Sequence, residues 1–372
     1  MKMKHSGTMK AVLADDLTKS MEFVRVYAAD ITNKKETSRL VKQLGEIFPL
    51  TRLPHMKRVR CLKENEEKHL QIILCCVDQE EDLSSSPTLN EIFQKAPGFD
   101  QTGLGNLFST RVARNQPKTR AQFEEAQSHW PTSFHEDLEL TKLLNGTYFT
   151  KTEQERINLH MQMAVELADQ GKQSGEVPIG VVIVNSDSSE VVASCYDLRN
   201  TASNPLYHAV MLCVDLVARS QGGGAWEIQD TPGFWWRKPH EASNRLADLS
   251  SDTSLGSQPD NLQNDVGQPT LVRDVTESQS GQNNLKRKFN ELDDSSYLCT
   301  NLDLYVTQEP CSMCAMALVH SRIHHVFYGV THPDGALGSR YKIHCQPGLN
   351  HHFQVFRGVL EEKCRNLYSE IT

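Results

Sequence analysis

The sequence predicts an α/β protein of two domains, in which a small α/β domain precedes a three-layer α-β-α domain with a mixed sheet. Three observations lead to this prediction. A length of 372 residues suits two domains that each bury a core of their own. Apolar residues follow helical and strand spacings in both halves of the chain. In the second half, a strand, a helix and a strand follow one another directly, which implies a parallel crossover.

The first domain is predicted at residues 1–96. Residues 22–28 alternate like a strand, residues 40–48 have helical spacing, and residues 70–77 form an apolar run typical of a buried strand. The chain then becomes polar, with Gly, Asn and Arg. We therefore predict an extended linker at residues 97–151.

The second domain is predicted at residues 152–372. Thr152 and Glu155 match a capping box, and the apolar residues that follow form one helical stripe. Residues 177–185 and 191–195 are rich in Val and Ile and are joined by a polar, Ser-rich turn. This pattern predicts a helix followed by two antiparallel strands.

The rest of this domain contains a long interruption. Residues 208–218 return to helical spacing, but residues 221–296 are rich in Ser, Asp, Asn, Gln and Gly, which is typical of a disordered insertion. The fold resumes with a strand at 302–307. Pro310 suits the first position of a helix, and residues 323–328 form another strand.

Composition and charge exclude some classes of protein. No apolar run approaches the roughly 18 residues that a membrane span needs, and the N-terminus lacks the pattern of a secretory signal. We therefore expect no membrane association and a location in the nucleus and cytoplasm. The basic triplet at 286–288 is a weak candidate for a nuclear import signal. The net charge of −8 excludes a uniformly basic nucleic-acid binder.

Positive charge is nevertheless concentrated in one segment. Residues 31–63 contain nine Lys or Arg against two Asp or Glu. Such a cluster indicates either a solvated face without a ligand or a surface that contacts RNA phosphates, and we favour the second interpretation. The predicted RNA-binding residues are Lys34, Lys35, Arg39, Lys57, Arg58 and Arg60.

A Cys-x-x-Cys motif lies where a strand gives way to a helix. The start of a helix favours the thiolate forms of Cys311 and Cys314, although such a motif alone is also typical of a structural zinc clip or of unpaired thiols. His208 opens the preceding helix. Three protein ligands leave a fourth tetrahedral position open, as in catalytic zinc sites. We predict one zinc ion bound by His208, Cys311 and Cys314, the ligand set of the zinc deaminase signature H-x-E…P-C-x-x-C.

These elements and motifs resemble the cytidine/deoxycytidylate deaminase superfamily over residues 152–372, apart from the insertion. Val210, the added N-terminal domain and the insertion make the chain more similar to the non-catalytic, third-named subunits of the eukaryotic tRNA-specific adenosine deaminase. The resemblance implies a cytidine-deaminase-like fold and a heterodimer with a catalytic tRNA adenosine deaminase subunit. It also implies tRNA as the partner, with wobble adenosine converted to inosine. The segments that resemble tRNA adenosine deaminases are residues 180–184, 329–330, 335–339 and 349–351.

Val210 decides the predicted activity. Active members have a glutamate at this position, which takes a proton from zinc-bound water and delivers it to the substrate. Valine can do neither, so the chain alone is expected to be inactive. Two alternatives remain open: an active deaminase with another base, for which Glu309 is the nearest candidate, or a zinc-scaffolded RNA-binding protein outside any enzyme.

Overall fold

A computed structural model shows two compact units, one of Leu13–Phe149 and one of Met1–Val12 with Thr150–Thr372. Within the described residues, no helix has both the length and the apolar character needed to cross a membrane. For residues 63, 64, 67 and 68 only the backbone is described. The structure describes residues 9–64, 67–77, 87–94, 96, 98–228, 231–238 and 298–369.

The N-terminal unit is built on a four-stranded antiparallel sheet. Strand β1 (Lys10–Ala11) belongs to the other unit, and the sheet here has the order β3-β4-β2-β5. Its strands are β2 (Phe23–Ile31), β3 (Val59–Glu64), β4 (Glu67–Cys76) and β5 (Leu104–Ala113). Its helices are α1 (Asp15–Thr18), α2 (Thr37–Ile47), α3 (Leu89–Phe93), α4 (Arg120–His129) and α5 (Leu138–Asn145).

Both faces of this sheet are covered by apolar clusters. Successive strand residues point to opposite faces, so neighbouring residues of one strand belong to different clusters. On one face, Leu40 and Leu44 of α2 pack in a cluster that includes Ile72. On the other face, Ile73 packs in a cluster that includes Trp130, which follows α4. The unit therefore has two small cores separated by one sheet.

The predicted linker at residues 97–151 is wrong, and so is the predicted end of the first domain at residue 96. Strand β5 lies within that range and pairs with β2 from Phe23–Ala113 to Ile31–Leu104. It is an edge strand of the sheet that the described residues form, and polar residues such as Asn106 and Ser109 are exposed. Glycine and polar residues make up half of the strand, and together with the polar segments around it they made this range look like a linker.

The C-terminal unit is built on a seven-stranded mixed sheet of order β1-β11-β10-β9-β6-β7-β8. Strands β9, β10 and β11 are parallel, while β6 and β7 form the predicted antiparallel hairpin. The mixed sheet and the parallel crossover are therefore confirmed. The strands are β6 (Gly180–Asn185), β7 (Val191–Tyr196), β8 (Trp235–Trp236), β9 (Leu302–Gln308), β10 (His325–Val330) and β11 (Gln354–Arg357).

Helices cover both faces of this sheet, which confirms the three layers. Ile183 packs with Leu212 and Leu318 on one face. On the other face, Tyr305 contacts His160, with ring centroids 5.1 Å apart. The helices are α6 (Lys151–Gln173), which carries His160, α7 (Ala209–Ser220), α8 (Ser312–Ser321) and α9 (Glu361–Asn366).

Two predicted helix starts are corrected. The capping box is formed by Thr150 and Glu153, because the Glu153 carboxylate accepts from the Thr150 backbone N–H at 2.7 Å and the Thr150 hydroxyl accepts from the Glu153 N–H at 3.3 Å. Thr152 lies inside α6. The sequence contains two overlapping matches to the capping-box pattern, and the prediction used the second one. Pro310 precedes α8, for which Cys311 is the N-cap.

Part of the predicted insertion belongs to the folded unit. Strand β8 pairs antiparallel with β7, with Trp236 opposite Ala193. The Trp226 ring lies 5.0 Å from the Tyr207 ring. The prediction of disorder over 221–296 is therefore wrong for residues 221–228 and 231–238, where Trp226, Phe234 and Trp236 pack on the core. Residues 229–230 and 239–296 lie outside the described residues.

The first described residues also belong to the C-terminal unit. Strand β1 pairs antiparallel with β11, and the Val12 N–H donates to the Val355 carbonyl at 2.8 Å. The Val12 carbonyl lies 2.9 Å from the Nε2 of His344. Residues 10–12 therefore lie at the edge of the second sheet and precede the N-terminal unit, so the predicted first domain began too early.

Candidate functional site

A cavity of about 880 Å³ lies at the carboxyl end of the parallel strands β9 and β10. Gln308 and Val330, the last residues of these two strands, line it. The first two residues of α7 and Cys314 in the first turn of α8 also line it. Ligands of open α/β sheets bind at such strand ends. The cavity is therefore the candidate site of the C-terminal unit.

The three predicted metal ligands meet in this cavity. His208 is the N-cap of α7 and Cys311 is the N-cap of α8, while Cys314 lies in the first turn of α8. The Nδ1 of His208 lies 3.7 Å from the Cys311 Sγ and 3.6 Å from the Cys314 Sγ. Tetrahedral zinc with usual bond lengths separates nitrogen and sulfur ligands by about 3.6 Å. The donor atoms therefore fit one zinc ion.

The electrostatics of the two thiols also fit a cation. Hydrogen bonding to Cys314 and to the His208 ring lowers the pKa of the Cys311 thiol to about 3. The Cys311 thiolate and burial raise the pKa of the Cys314 thiol. The two sulfurs lie within 4.8 Å of each other, so both can be thiolates only with a positive charge between them, and a divalent metal supplies that charge.

A buried carboxylate, which the sequence analysis missed, holds the start of α7 in place. Asp197 is fully buried and its Oδ2 accepts from the Ala209 N–H at 3.3 Å. Its Oδ1 accepts from the Arg199 Nε at 2.8 Å. Asp197 thus satisfies a free N–H of the helix beside His208 and is itself neutralised by Arg199. A single Asp in a turn after a strand carries no sequence signal for this role.

Val210 lies at the cavity beside the metal ligands. It is the second residue of α7, it is 3% exposed, and it packs in the same apolar cluster as Leu212 and Cys314. An isopropyl group neither accepts nor donates a proton. The position next to the ligands is therefore filled by a core residue.

No carboxylate lining the described cavity is free to replace a missing base. Glu309 is 2% exposed and accepts from the backbone N–H groups of His332, Leu337 and Ser339 and from the Ser339 hydroxyl. Glu176 accepts from the N–H groups of Asn200 and Thr201 and from the Thr201 hydroxyl. The third carboxylate, that of Asp197, has the partners described above. Each of the three anchors backbone.

The predicted basic surface of the N-terminal unit is only partly available to a ligand. The Arg39 guanidinium donates to Glu36 and to the carbonyls of Asp100 and Thr102 at 2.6 to 2.9 Å. It thereby fastens α2 to the loop before β5. Lys34, Lys35 and Lys57 are exposed.

Two strand arginines are likewise engaged in internal contacts. Arg58 donates to the Phe48 carbonyl at 2.6 Å, and burial lowers its pKa. Arg60 donates to Gln71 and to the His129 carbonyl, each at 2.7 Å, and lies 4.2 Å from the Trp130 ring centroid. We therefore do not expect Arg39, Arg58 and Arg60 to contact phosphates, because their guanidinium groups already donate hydrogen bonds within the unit.

The predicted cluster is also divided between two faces of the sheet. Val59 packs on the face covered by α2, where Lys34 and Lys35 immediately precede the helix. Arg60, the next residue, lies over Trp130 on the other face. Alternation along β3 separates these charges, which proximity in sequence had grouped together.

A different pair of arginines was missed by the sequence analysis. Arg25 of β2 and Arg111 of β5 are direct cross-strand partners, and both are exposed. With Ser109 and His129 they line a concavity of about 370 Å³. Like charges directly opposite each other are unfavourable unless an anion lies between them. The only sequence signal was one exposed position in each of two strands, 86 residues apart.

A mixed sheet covered on both faces, with a histidine and a Cys-x-x-Cys at two adjacent helix starts, defines a deaminase-like domain of the cytidine and deoxycytidylate type. The family models that match this chain agree with this class. Residues 154–232 match the cytidine and deoxycytidylate deaminase zinc-binding region, and residues 288–363 match the MafB19-like deaminase. Residues 24–130 match the tRNA-specific adenosine deaminase TAD3 N-terminal domain.

Whole-length relatives give the family. A human protein named probable inactive tRNA-specific adenosine deaminase-like protein 3 is 41% identical over 95% of this chain and 90% of its own length. A Danio rerio protein of the same name is 39% identical over 96% of this chain and 94% of its own length. The Arabidopsis thaliana tRNA-specific adenosine deaminase TAD3 is 27% identical over 91% of this chain and 92% of its own length. The chain belongs to the family of the inactive tRNA-specific adenosine deaminase-like protein 3, or TAD3.

Proposed function

We propose that this chain is the non-catalytic subunit of a heterodimeric tRNA adenosine deaminase that converts wobble adenosine to inosine. The observation that carries the proposal is Val210. It occupies the position of the catalytic base, beside three side chains that form the complete set of protein ligands for zinc. General acid/base catalysis contributes about 10²–10⁴ in rate, and here the base also generates the attacking hydroxide. The catalytic partner supplies the complete His-x-Glu site.

We propose a structural role for one zinc ion held by His208, Cys311 and Cys314. These residues start α7 and α8, which the insertion separates in the sequence. A metal bound only in the native state adds its binding free energy to folding. The ion would therefore hold two helix starts together and maintain the fold that the partner recognises.

We propose that the N-terminal unit contacts the phosphates of tRNA through exposed basic residues. Lys34, Lys35 and Lys57 remain available for this role, and the facing pair Arg25 and Arg111 adds a concave site with two positive charges. Phosphate contacts position an RNA without reading its sequence, so recognition of the wobble adenosine belongs to the partner's pocket.

We propose that the subunit acts in the nucleus and cytoplasm, where tRNA is made and used. The basic triplet at 286–288, the weak candidate for an import signal, lies outside the described residues.

The test is co-expression with a catalytic tRNA adenosine deaminase subunit that carries His-x-Glu. The two chains should co-purify, and the complex should form inosine in tRNA. The isolated chain should be folded, metal-loaded and inert. Replacing the partner's glutamate by glutamine should abolish editing, because that residue carries the proton transfer. Deamination by the isolated chain, freed from any other deaminase, would contradict the proposal.

A further inference from the structure

A second cluster of metal-ligating side chains lies at the end of the sheet opposite the cavity. Asp303 is the second residue of β9 and His325 is the first residue of β10, and the two are direct partners across this parallel pair. The Cys-x-x-Cys motif follows the other end of β9. With a rise of about 3.3 Å per residue, the two ends of this strand are roughly 20 Å apart. The cluster is therefore independent of the site described above.

Three side chains converge on one oxygen of Asp303. Its Oδ1 lies 2.8 Å from the Nδ1 of His325, 3.5 Å from the Nδ1 of His324 and 2.6 Å from the Ser186 hydroxyl. The Ser186 Oγ lies 3.2 Å from the His324 Nδ1. The carboxylate and the two imidazoles thus present their donor atoms within 4.8 Å of one another.

The arrangement needs little adjustment to hold a metal. Nitrogen and oxygen ligands of tetrahedral zinc, at about 2.0–2.1 Å from the ion, are about 3.3 Å apart. The distances of 2.8 and 3.5 Å from the Asp303 oxygen to the two nitrogens lie on either side of that value. Shifts of about 0.5 and 0.2 Å in these two distances would bring them to the spacing of zinc ligands, and the tautomer of each imidazole that leaves Nδ1 unprotonated would replace the hydrogen bonds by metal bonds.

Burial provides both a rigid base and an entry path. The side chains of Asp303 and His325 are only 12% and 9% exposed. Their backbones pair across β9 and β10, so both residues are held in place. The His324 side chain is 50% exposed, which leaves one side of the cluster open to solvent. Water can complete the coordination of an ion on that side.

We propose that Asp303, His324 and His325 form a second binding site, for a divalent transition-metal ion. Two imidazoles and one carboxylate suit Zn²⁺, Co²⁺, Ni²⁺ or Cu²⁺, whereas Mg²⁺ and Ca²⁺ prefer sites made of oxygen ligands. The Ser186 hydroxyl orients the carboxylate from the turn after β6. A bound ion cross-links β9 to β10 and stabilises this end of the sheet without touching the cavity.

The test is a titration of the tag-free full chain, dialysed against metal-free buffer so that it retains its tightly bound metal, with Zn²⁺ followed by calorimetry. The wild-type chain should bind about one further equivalent. His324→Gln should weaken this binding at least tenfold, since it removes one of three protein ligands at an exposed position. The matched control is His320→Gln, an exposed histidine at the end of α8, which should bind as the wild type does.

Titration with Co²⁺ separates the two sites. The second site has only nitrogen and oxygen ligands, so the Co²⁺ bound there should show d–d bands without the thiolate-to-cobalt charge-transfer band. The d–d bands should be lost in His324→Gln. Equal isotherms for wild type and His324→Gln, or charge-transfer absorption from the further equivalent of Co²⁺, would overturn the proposal.

Discussion

The Sγ of Cys314 lies 3.6 Å from the Nδ1 of His208, although the two residues are 106 positions apart in the chain. The distance matches the spacing of nitrogen and sulfur ligands around zinc. Two helix starts, separated by the insertion, are brought together at one end of the sheet. The ligand set of a deaminase is thus retained in a chain with valine at the position of the base.

The metal content tests the proposed ligands directly. After dialysis against metal-free buffer, the chain should retain about one zinc ion by elemental analysis. Cys311→Ala combined with Cys314→Ala removes two of three ligands and should lower the content by about one equivalent. Cys61→Ala combined with Cys76→Ala, which changes two exposed thiols of the N-terminal unit, should leave it unaltered. Unchanged zinc in the first variant would exclude this site.

Substitution of Val210 separates packing from catalysis. Val210→Ala should lower the free energy of unfolding by about 1–3 kcal/mol, because it removes two buried methyl groups. Editing by the complex should stay within about twofold of wild type. Val210→Glu should yield little or no activity in the isolated chain and should destabilise it, since the new carboxylate enters an apolar cluster without a partner. Denaturant unfolding and inosine formation measure the two effects, and strong deamination by Val210→Glu alone would contradict the view that the pocket no longer fits a substrate.

Glu309 is expected to act as an anchor and not as a base. Glu309→Gln replaces an acceptor of four hydrogen bonds by an amide that cannot satisfy them all, and should lower the free energy of unfolding by about 2–3 kcal/mol. Asp334→Asn changes a carboxylate in an exposed ion pair of the same loop and should cost less than about 1 kcal/mol. Equal effects of the two variants in denaturant unfolding would show that Glu309 does not hold this loop.

His344 should make stability depend on pH. Burial lowers its pKa, and its Nε2 contacts the Val12 carbonyl, while no described residue forms a hydrogen bond with its Nδ1. The unfolded chain takes up a proton near pH 6.5 that the folded chain resists. The stability from the neutral ring is therefore complete above about pH 6.5 and is lost as the pH falls.

His344→Gln can still donate to Val12 but cannot titrate. Between pH 7.5 and 5, its unfolding free energy should fall less steeply than that of wild type, by up to about 1.4 kcal/mol per pH unit. Parallel curves for the two proteins would contradict this role.

The salt dependence of tRNA binding distinguishes free from engaged basic residues. In the complex, Arg25→Gln with Arg111→Gln, or Lys34→Gln with Lys35→Gln, should flatten the plot of log affinity against log salt by about 0.7–0.9 per lost contact. Arg60→Gln should chiefly lower stability, because its guanidinium binds Gln71 and the His129 carbonyl. An unchanged slope in both double variants would remove these surfaces from the tRNA interface.

The sequence by itself determined the class of the C-terminal unit and its chemistry. The hairpin, the parallel crossover and the helix starts at His208 and Cys311 are local patterns, because strand and helix periods and turn residues act over a few positions. The replacement at Val210 could likewise be read directly from the spacing to His208. For this reason the mixed sheet and three layers were predicted correctly.

Only the tertiary structure decided which polar side chains are available. In the sequence, Arg39 and Arg60 are basic residues of the same segment as Lys34. In the structure, carbonyl groups of distant segments accept hydrogen bonds from Arg39 and Arg60. Strand β5 was mistaken for a linker because pairing with β2, and not its composition, makes it a strand. The Asp303–His325 pair likewise depends on the register of two strands. Each of these features depends on partners far away in the chain, so no local pattern could predict it.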